Sequence, residues 1–169
     1  LWQSRRYGES YTNFIQAANE FTDIRRSAWA RFKAIESAYR SGDMHSTLNI
    51  GRNFITNFAP ATLKNTARFL MMRAAMEKTG TRSYSLTEAR RLFNALAEKR
   101  DHKDFDYGLL LLARAEVDNN NSAKSRELLN QISVGSPLKQ AAELESVRNI
   151  ILKKRWRDAI VGYETWLKK

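Results

Sequence analysis

Five small residues, each at a comparable place in a helix-like segment, recur along this 169-residue chain: Ser10, Thr47, Ala89, Ser125 and Ala159. The intervals between them are 37, 42, 36 and 34 residues. Four residues after the small position stands a large side chain in four of the five: Phe14, Phe93, Leu129 and Tyr163. In the Thr47 segment that slot holds Gly51. Residues four apart share one face of a helix, so a small residue beside a bulky one makes a notch next to a knob. The notch admits a neighbouring helix closely and the knob fills the space beside it. A period in this range predicts an array in which each unit buries its apolar face on the next.

The punctuation between segments fits helix pairs. Gly42 lies five residues before Thr47 and Asn120 five before Ser125, both residue types that tolerate a positive φ at a helix C-terminus. Lys154 takes that place before Ala159, and Gly80 stands nine residues before Ala89, which lengthens that interval. Pro60 and Pro137 stand where helices start, and Ser85 or Thr87 is placed to cap the helix that carries Ala89. The expected helices cover about 5–21, 24–41, 44–58, 61–79, 86–100, 105–119, 122–133, 137–153 and 155–168. Turns of a few residues make neighbours antiparallel. Two prolines and seven glycines in this length favour helices over a turn-rich β fold. "GLLLLA", Gly108–Ala113, puts leucines all round a helix at about 100° per residue, which demands cover on most sides.

Charge and chemistry narrow the function classes. Lys and Arg number 29 against 18 Asp and Glu, a formal net charge of +11 that attracts nucleic acid, anionic lipid or acidic protein. With no cysteine, disulfides, thiolate metal sites and a Cys nucleophile are excluded, and either cytoplasm or an oxidising envelope compartment is compatible. His45 and His102 are far apart, and no clustered ligand set, Gly-rich phosphate loop or G-x-S-x-G is present. Asp104 and Asp106 read as helix-start residues favoured by the dipole, and the sequon at Asn120 as a turn. The expectation is no enzyme, no metal and no cofactor. No apolar run reaches the roughly 18 residues that cross a bilayer as a helix. Basic pairs recur near helix ends: Arg5–Arg6, Arg25–Arg26, Arg90–Arg91 and Lys153–Lys154–Arg155. They read as solvated helix ends, or as a basic face for an acidic partner.

"RWRDAIVGYETWL" places Trp156, Ala159, Tyr163 and Trp166 at packing positions, "AYRSGD" ends a helix and turns, and "NQISVGSP" puts Pro137 twelve residues after Ser125. These stretches resemble the tetratricopeptide repeat, a helix–turn–helix unit of about 34 residues. The resemblance implies an all-α, right-handed superhelical array of antiparallel helix pairs, about nine helices in one domain over 1–169. Its units are a half repeat at about 1–22, then 23–60, 61–103, 104–136 and 137–169. Other antiparallel helical repeats remain alternatives. A chain that opens inside a second helix reads as a piece of a longer array, with room for a leader, anchor or domain before Leu1.

In that family the first helices of each pair line a concave groove. By position, the groove would draw Trp29, Phe32, Lys33, Glu36, Tyr39 and Arg40 from one unit and Leu70, Met71, Ala74 and Glu77 from the next. The third unit would give Tyr107, Leu110, Leu111 and Arg114, and the fourth Leu144, Glu145, Arg148 and Ile151. Members that grip chaperone C-termini use paired Lys and Asn. Glu36, Ala74, Arg114 and Arg148 stand where Asn is expected, and Phe32 or leucine where Lys is, which argues against that role. The expected function is a protein–protein interaction scaffold that holds an apolar or amphipathic segment in its groove. A polyanion- or nucleic-acid-binding repeat using the basic face is one alternative. A structural spacer or cell-envelope assembly component is another.

Overall fold

The computed structural model describes residues 2–77, 85–97 and 104–168. Among these residues there are nine α-helices and no strand. One compact unit holds α1 (Trp2–Glu20), α2 (Ile24–Ser41), α3 (Met44–Asn57), α4 (Ala61–Met76) and α5 (Leu86–Ala97). The second holds α6 (Phe105–Asp118), α7 (Ser122–Asn130), α8 (Lys139–Leu152) and α9 (Trp156–Leu167). Within the first unit each helix packs on the next, and α2 also touches α4. Within the second the same holds, with α6 also touching α8. Consecutive helices and alternate first helices in contact are what a helical array requires.

Helix bounds lie close to those expected from the notch spacing. Differences reach three residues, at the start of α1, the end of α4 and the end of α7, which stops at Asn130 instead of about 133. Its chain tightens there: Gln131 and Ile132 N–H donate to the carbonyls three residues back, at 3.1 and 3.3 Å. α8 begins two residues after Pro137, because Ser136 forms a turn around the proline and accepts from Lys139 N–H at 3.0 Å. α4 ends at Met76, where Glu77 turns extended at ψ 135°. The expected turn at Gly80 and the expected helix residues 98–100 lie outside the described residues.

Three turns share one geometry. Gly42, Asn120 and Lys154 have φ of 86°, 60° and 59°. In each, the residue after the turn donates across to a carbonyl five back: Asp43 to Ala38, Asn121 to Glu116, Arg155 to Ile150. This closes the helix end by satisfying carbonyls that would otherwise be orphaned. Glycine adopts the conformation without strain, whereas Lys154 holds a left-handed backbone that costs an ordinary residue about 1–2 kcal/mol. Asp43 and Asn121 then cap the following helices by accepting from Ser46 and Lys124 N–H. Ser85, rather than Thr87, accepts from Glu88 N–H at 3.2 Å at the start of α5.

The notches are sunk. Thr47, Ala89, Ser125 and Ala159 are buried and Ser10 is half-buried. The slot four residues on receives or presents bulk as the spacing requires. Phe14 meets Trp29 of α2 edge-on, with ring centroids 6.1 Å apart. At Gly51 the bulk arrives from α4: a Cβ there would stand 2.5 Å from Met71 Sδ. The absent side chain is therefore the room that Met71 occupies. Ala28, Phe32, Ile35, Phe54 and Ala67 form the adjoining core, with Phe32 and Phe54 rings 6.3 Å apart. In the second unit Leu109, Leu110 and Leu112 are buried and Leu111 is half-buried.

Candidate functional site

The residues that the resemblance assigns to a groove divide by environment. Phe32, Met71 and Leu110 are buried among the helices and offer no surface for a ligand, a correction to their expected groove-lining role. The same helical periodicity that puts a residue on a groove face puts its neighbour, about 100° away, in the core. Leu70, Tyr107 and Ile151 are half-buried. The polar members tie helices together. Tyr39 OH donates to Glu77 Oε1 at 2.6 Å, with the Arg73 guanidinium 4.9 Å from the Tyr39 ring centroid. Lys33 instead pairs within α2, with Glu36 at 2.5 Å. Arg114 and Arg148 both reach Glu145, at 2.6 and 3.4 Å, so α6 and α8 are joined through one carboxylate. Arg40 is exposed, with its guanidinium 5.6 Å from the Tyr7 ring centroid. Trp29 alone among the groove aromatics stands well into solvent, 51% exposed.

The basic-face residues Arg25, Arg26, Arg90, Arg91, Lys153, Lys154 and Arg155 are all exposed. Arg91 and Arg155 are among those engaged locally. Arg91 holds Glu88 at 2.8 Å, and Arg155 pairs with Asp158 at 2.5 Å. Arg52 of α3 also reaches Glu88, at 3.2 Å. Hydrogen bonding from Arg91 is the largest of the effects that hold the Glu88 carboxyl below its ordinary range, and the same bond raises Arg91. Asp43 is likewise lowered, first by the hydrogen bond from the Ser46 hydroxyl and then by that from Ser46 N–H. These shifts mark helix starts and cross-helix ties. Among the described residues no three His, Asp or Glu side chains are placed to hold a metal ion. No described helix is long and apolar enough to cross a membrane.

Trp29 leads to a site that the sequence pattern did not reveal. A cavity of about 780 Å³ opens between the start of α2, the end of α3 and the start of α4. Ile24, Trp29, Ile55, Phe58, Ala59 and Leu63 supply its apolar wall, and Arg25 and Lys64 contribute cations. Local chemistry explains the shape. Asp23 caps α2, accepting from Arg26 N–H at 2.7 Å, so Ile24 and Arg25 are held on the first turn. α3 ends at Phe58, and Pro60 starts α4 without a side-chain cap. The two helix ends are separated only by Phe58–Pro60, which leaves apolar side chains uncovered at the corner.

Phe58 is a fixed wall. The Arg31 guanidinium lies over its ring, 4.0 Å from the centroid, and is itself held by Asn19 Oδ1 at 3.0 Å. Behind that pair is a second cavity of about 340 Å³ that includes Asn49 and Asn53. Arg31 Nε is buried there without a hydrogen-bond partner. Of the front cavity's wall, the sequence pattern singles out Trp29 and, as a basic-face residue, Arg25. Phe58, Ala59 and Leu63 carry no spacing signal, because their juxtaposition depends on how α3 and α4 close.

Fold and site together define an all-helical protein of consecutively packed helices, with an apolar cavity edged by cations in its first unit. No protein-family model matches the chain, and neither does any curated protein or solved structure.

Proposed function

We propose that the chain is a non-enzymatic scaffold of tetratricopeptide type, a right-handed array that holds a segment of a protein partner. The cavity carries this reading. A volume of about 780 Å³ with exposed Trp29 and a clamped Phe58 suits one or two apolar side chains. Arg25 and Lys64 add recognition of a neighbouring carboxylate. The segment is therefore a short acidic peptide with a bulky apolar anchor. Ordering it costs entropy, so affinity in the micromolar range is expected for a site of this size. The Tyr39–Glu77 and Arg114–Glu145–Arg148 ties serve to fix first helix to first helix.

Selecting random 12-residue peptides against the 169-residue chain tests the reading. Enriched sequences should pair Leu, Phe or Trp with Asp or Glu. Trp29→Ala and Lys64→Glu should each weaken a selected peptide about tenfold or more, while Arg126→Ala, on an exposed position of α7, leaves it unchanged. Failure to enrich, or binding indifferent to Trp29→Ala, would overturn it.

One observation favours a polyanion as a second reading: exposed Trp29 stands within a turn of Arg25 and Arg26, as base stacking beside phosphate contacts would need. It ranks second because the ring is already met edge-on by Phe14, and Lys33 Nζ lies 5.4 Å from its centroid. A labelled oligonucleotide shifted at near-physiological salt would promote it, and no shift would remove it.

A further inference from the structure

On α1 and α3 of the first unit, the slot four residues after the notch is met by the helix that follows. Phe14 of α1 lies against Trp29 of α2, and the Gly51 slot of α3 is filled by Met71 of α4. The face around that slot follows suit. On α1, Tyr7, Tyr11, Phe14 and Ala18 are all buried or half-buried, and so are Met44, Leu48, Gly51 and Ile55 on α3. The matching residues on α9 are Trp156, Ile160, Tyr163 and Leu167. They are 59%, 57%, 37% and 73% exposed.

This is a formed face rather than a frayed end. α9 is anchored by its inner side: Ala159 is buried, Gly162 lets Val147 of α8 approach to 2.9 Å of a would-be Cβ, and Trp166 is half-buried. At about 100° per residue the four exposed side chains fall on one line, roughly a quarter-turn from that inner side. Their spacing of four, three and four is the seam one helix offers another.

Charge says what kind of helix belongs there. From Lys153 to Lys168 the segment carries five cations against two carboxylates. Asp158 is already held by Arg155. Lys153, Lys154, Arg157 and Lys168 are exposed and make no ion pair among the described residues. Arg157 and Lys168 flank the apolar line on its outer side, one near each end, with the carboxylate of Glu164 between them. Two copies of α9 laid antiparallel would bring these basic ends together, which disfavours self-pairing.

We infer that the Trp156–Ile160–Tyr163–Leu167 face of α9 is a docking surface for an amphipathic helix with acidic flanks, seated as α2 sits on α1 and α4 on α3. The inference belongs to the second unit and does not rest on the cavity of the first.

Two synthetic helices of about 18 residues, a match to the length of α9 with a margin at each end, test this on the 169-residue chain. They share one Leu/Ile face and differ only in Glu or Lys flanks. By fluorescence anisotropy the Glu-flanked peptide should bind about tenfold more tightly than the Lys-flanked one, and lose the advantage as salt rises. Ile160→Asp should abolish most binding, and the pair Arg157→Glu with Lys168→Glu should reverse the preference. Both changes fall on exposed positions, and circular dichroism checks that helix content is kept. Equal affinity for the two peptides would overturn the inference, as would binding that survives Ile160→Asp. So would concentration-dependent dimerisation that Ile160→Asp removes, because the occupant would then be a second copy.

Discussion

α3 and α9 follow the same kind of left-handed turn and carry the same buried notch, Thr47 in one and Ala159 in the other. Beyond the notch they part. α3 gives up a side chain at Gly51, and Met71 of α4 fills the space so tightly that no Cβ fits. α9 spends its glycine on the inner side, at Gly162, and turns Tyr163 and three other large side chains to solvent. One helix is locked between its neighbours, while the other is held on one side only. A notch therefore specifies how a helix sits on its own partner, and the slot four residues on is where the following helix packs, filled from α4 in one case and open in the other.

The difference should be largest at the filled slot. Met71→Ala deletes a fully buried side chain and should cost about 2–5 kcal/mol in denaturant unfolding, whereas Tyr163→Ala should stay within about 0.5 kcal/mol. Gly51→Ala should cost about 1–3 kcal/mol by overpacking. In the Met71→Ala background most of that cost should vanish, since the two sites share one space. Additive costs would mean that Met71 is not the group that excludes a Cβ.

A smaller effect is expected where α7 meets α8. Asn149 Nδ2 donates to Ser125 Oγ at 2.8 Å, both residues are buried, and Asn149 Oδ1 has no partner. Ser125→Ala leaves the amide wholly unsatisfied and should cost about 1–3 kcal/mol. Asn149→Leu combined with Ser125→Ala should recover much of it, and a double variant as unstable as the single would break the account.

The smallest effect concerns the cap of α3. Asp43→Ala removes the bond to Ser46 N–H, 2.9 Å, and should cost about 1 kcal/mol at neutral pH. Asp43 and Glu88 both titrate below their ordinary values of 3.8 and 4.5 in the folded chain. A lowered carboxylate stabilises fully above its ordinary value and loses that contribution as pH falls through the lowered one. The melting temperature should therefore drop on acidification from about pH 5 toward pH 3. Asp43→Ala should drop less than the parent chain, and an equal drop would remove Asp43 from the explanation.

Much of the fold was legible because it is local. Gly42, Asn120 and Lys154 were placed as turns by their distance from a small residue, and all three adopt positive φ with the same crossing hydrogen bond. Gly51 stood out as a break in the pattern, but its reason, Met71, comes from another helix and lies beyond what spacing can reveal. The cavity was mostly illegible for the same cause. Phe58 and Leu63 belong to different helices, and only the closure at Pro60 sets them on one wall with Trp29. Tyr39, Arg114 and Arg148 had the charge and polarity of groove residues. The carboxylates that engage them, Glu77 and Glu145, were themselves expected in the groove.

Hydrogen exchange read helix by helix on the 169-residue chain tests the contrast between covered and uncovered helices most directly. Amides of α3 should exchange only with global unfolding, while those of α9 open at far lower free energy and gain protection when the Glu-flanked helix binds. Protection of α9 equal to that of α3 in the unliganded chain, or unchanged by the peptide, would contradict it.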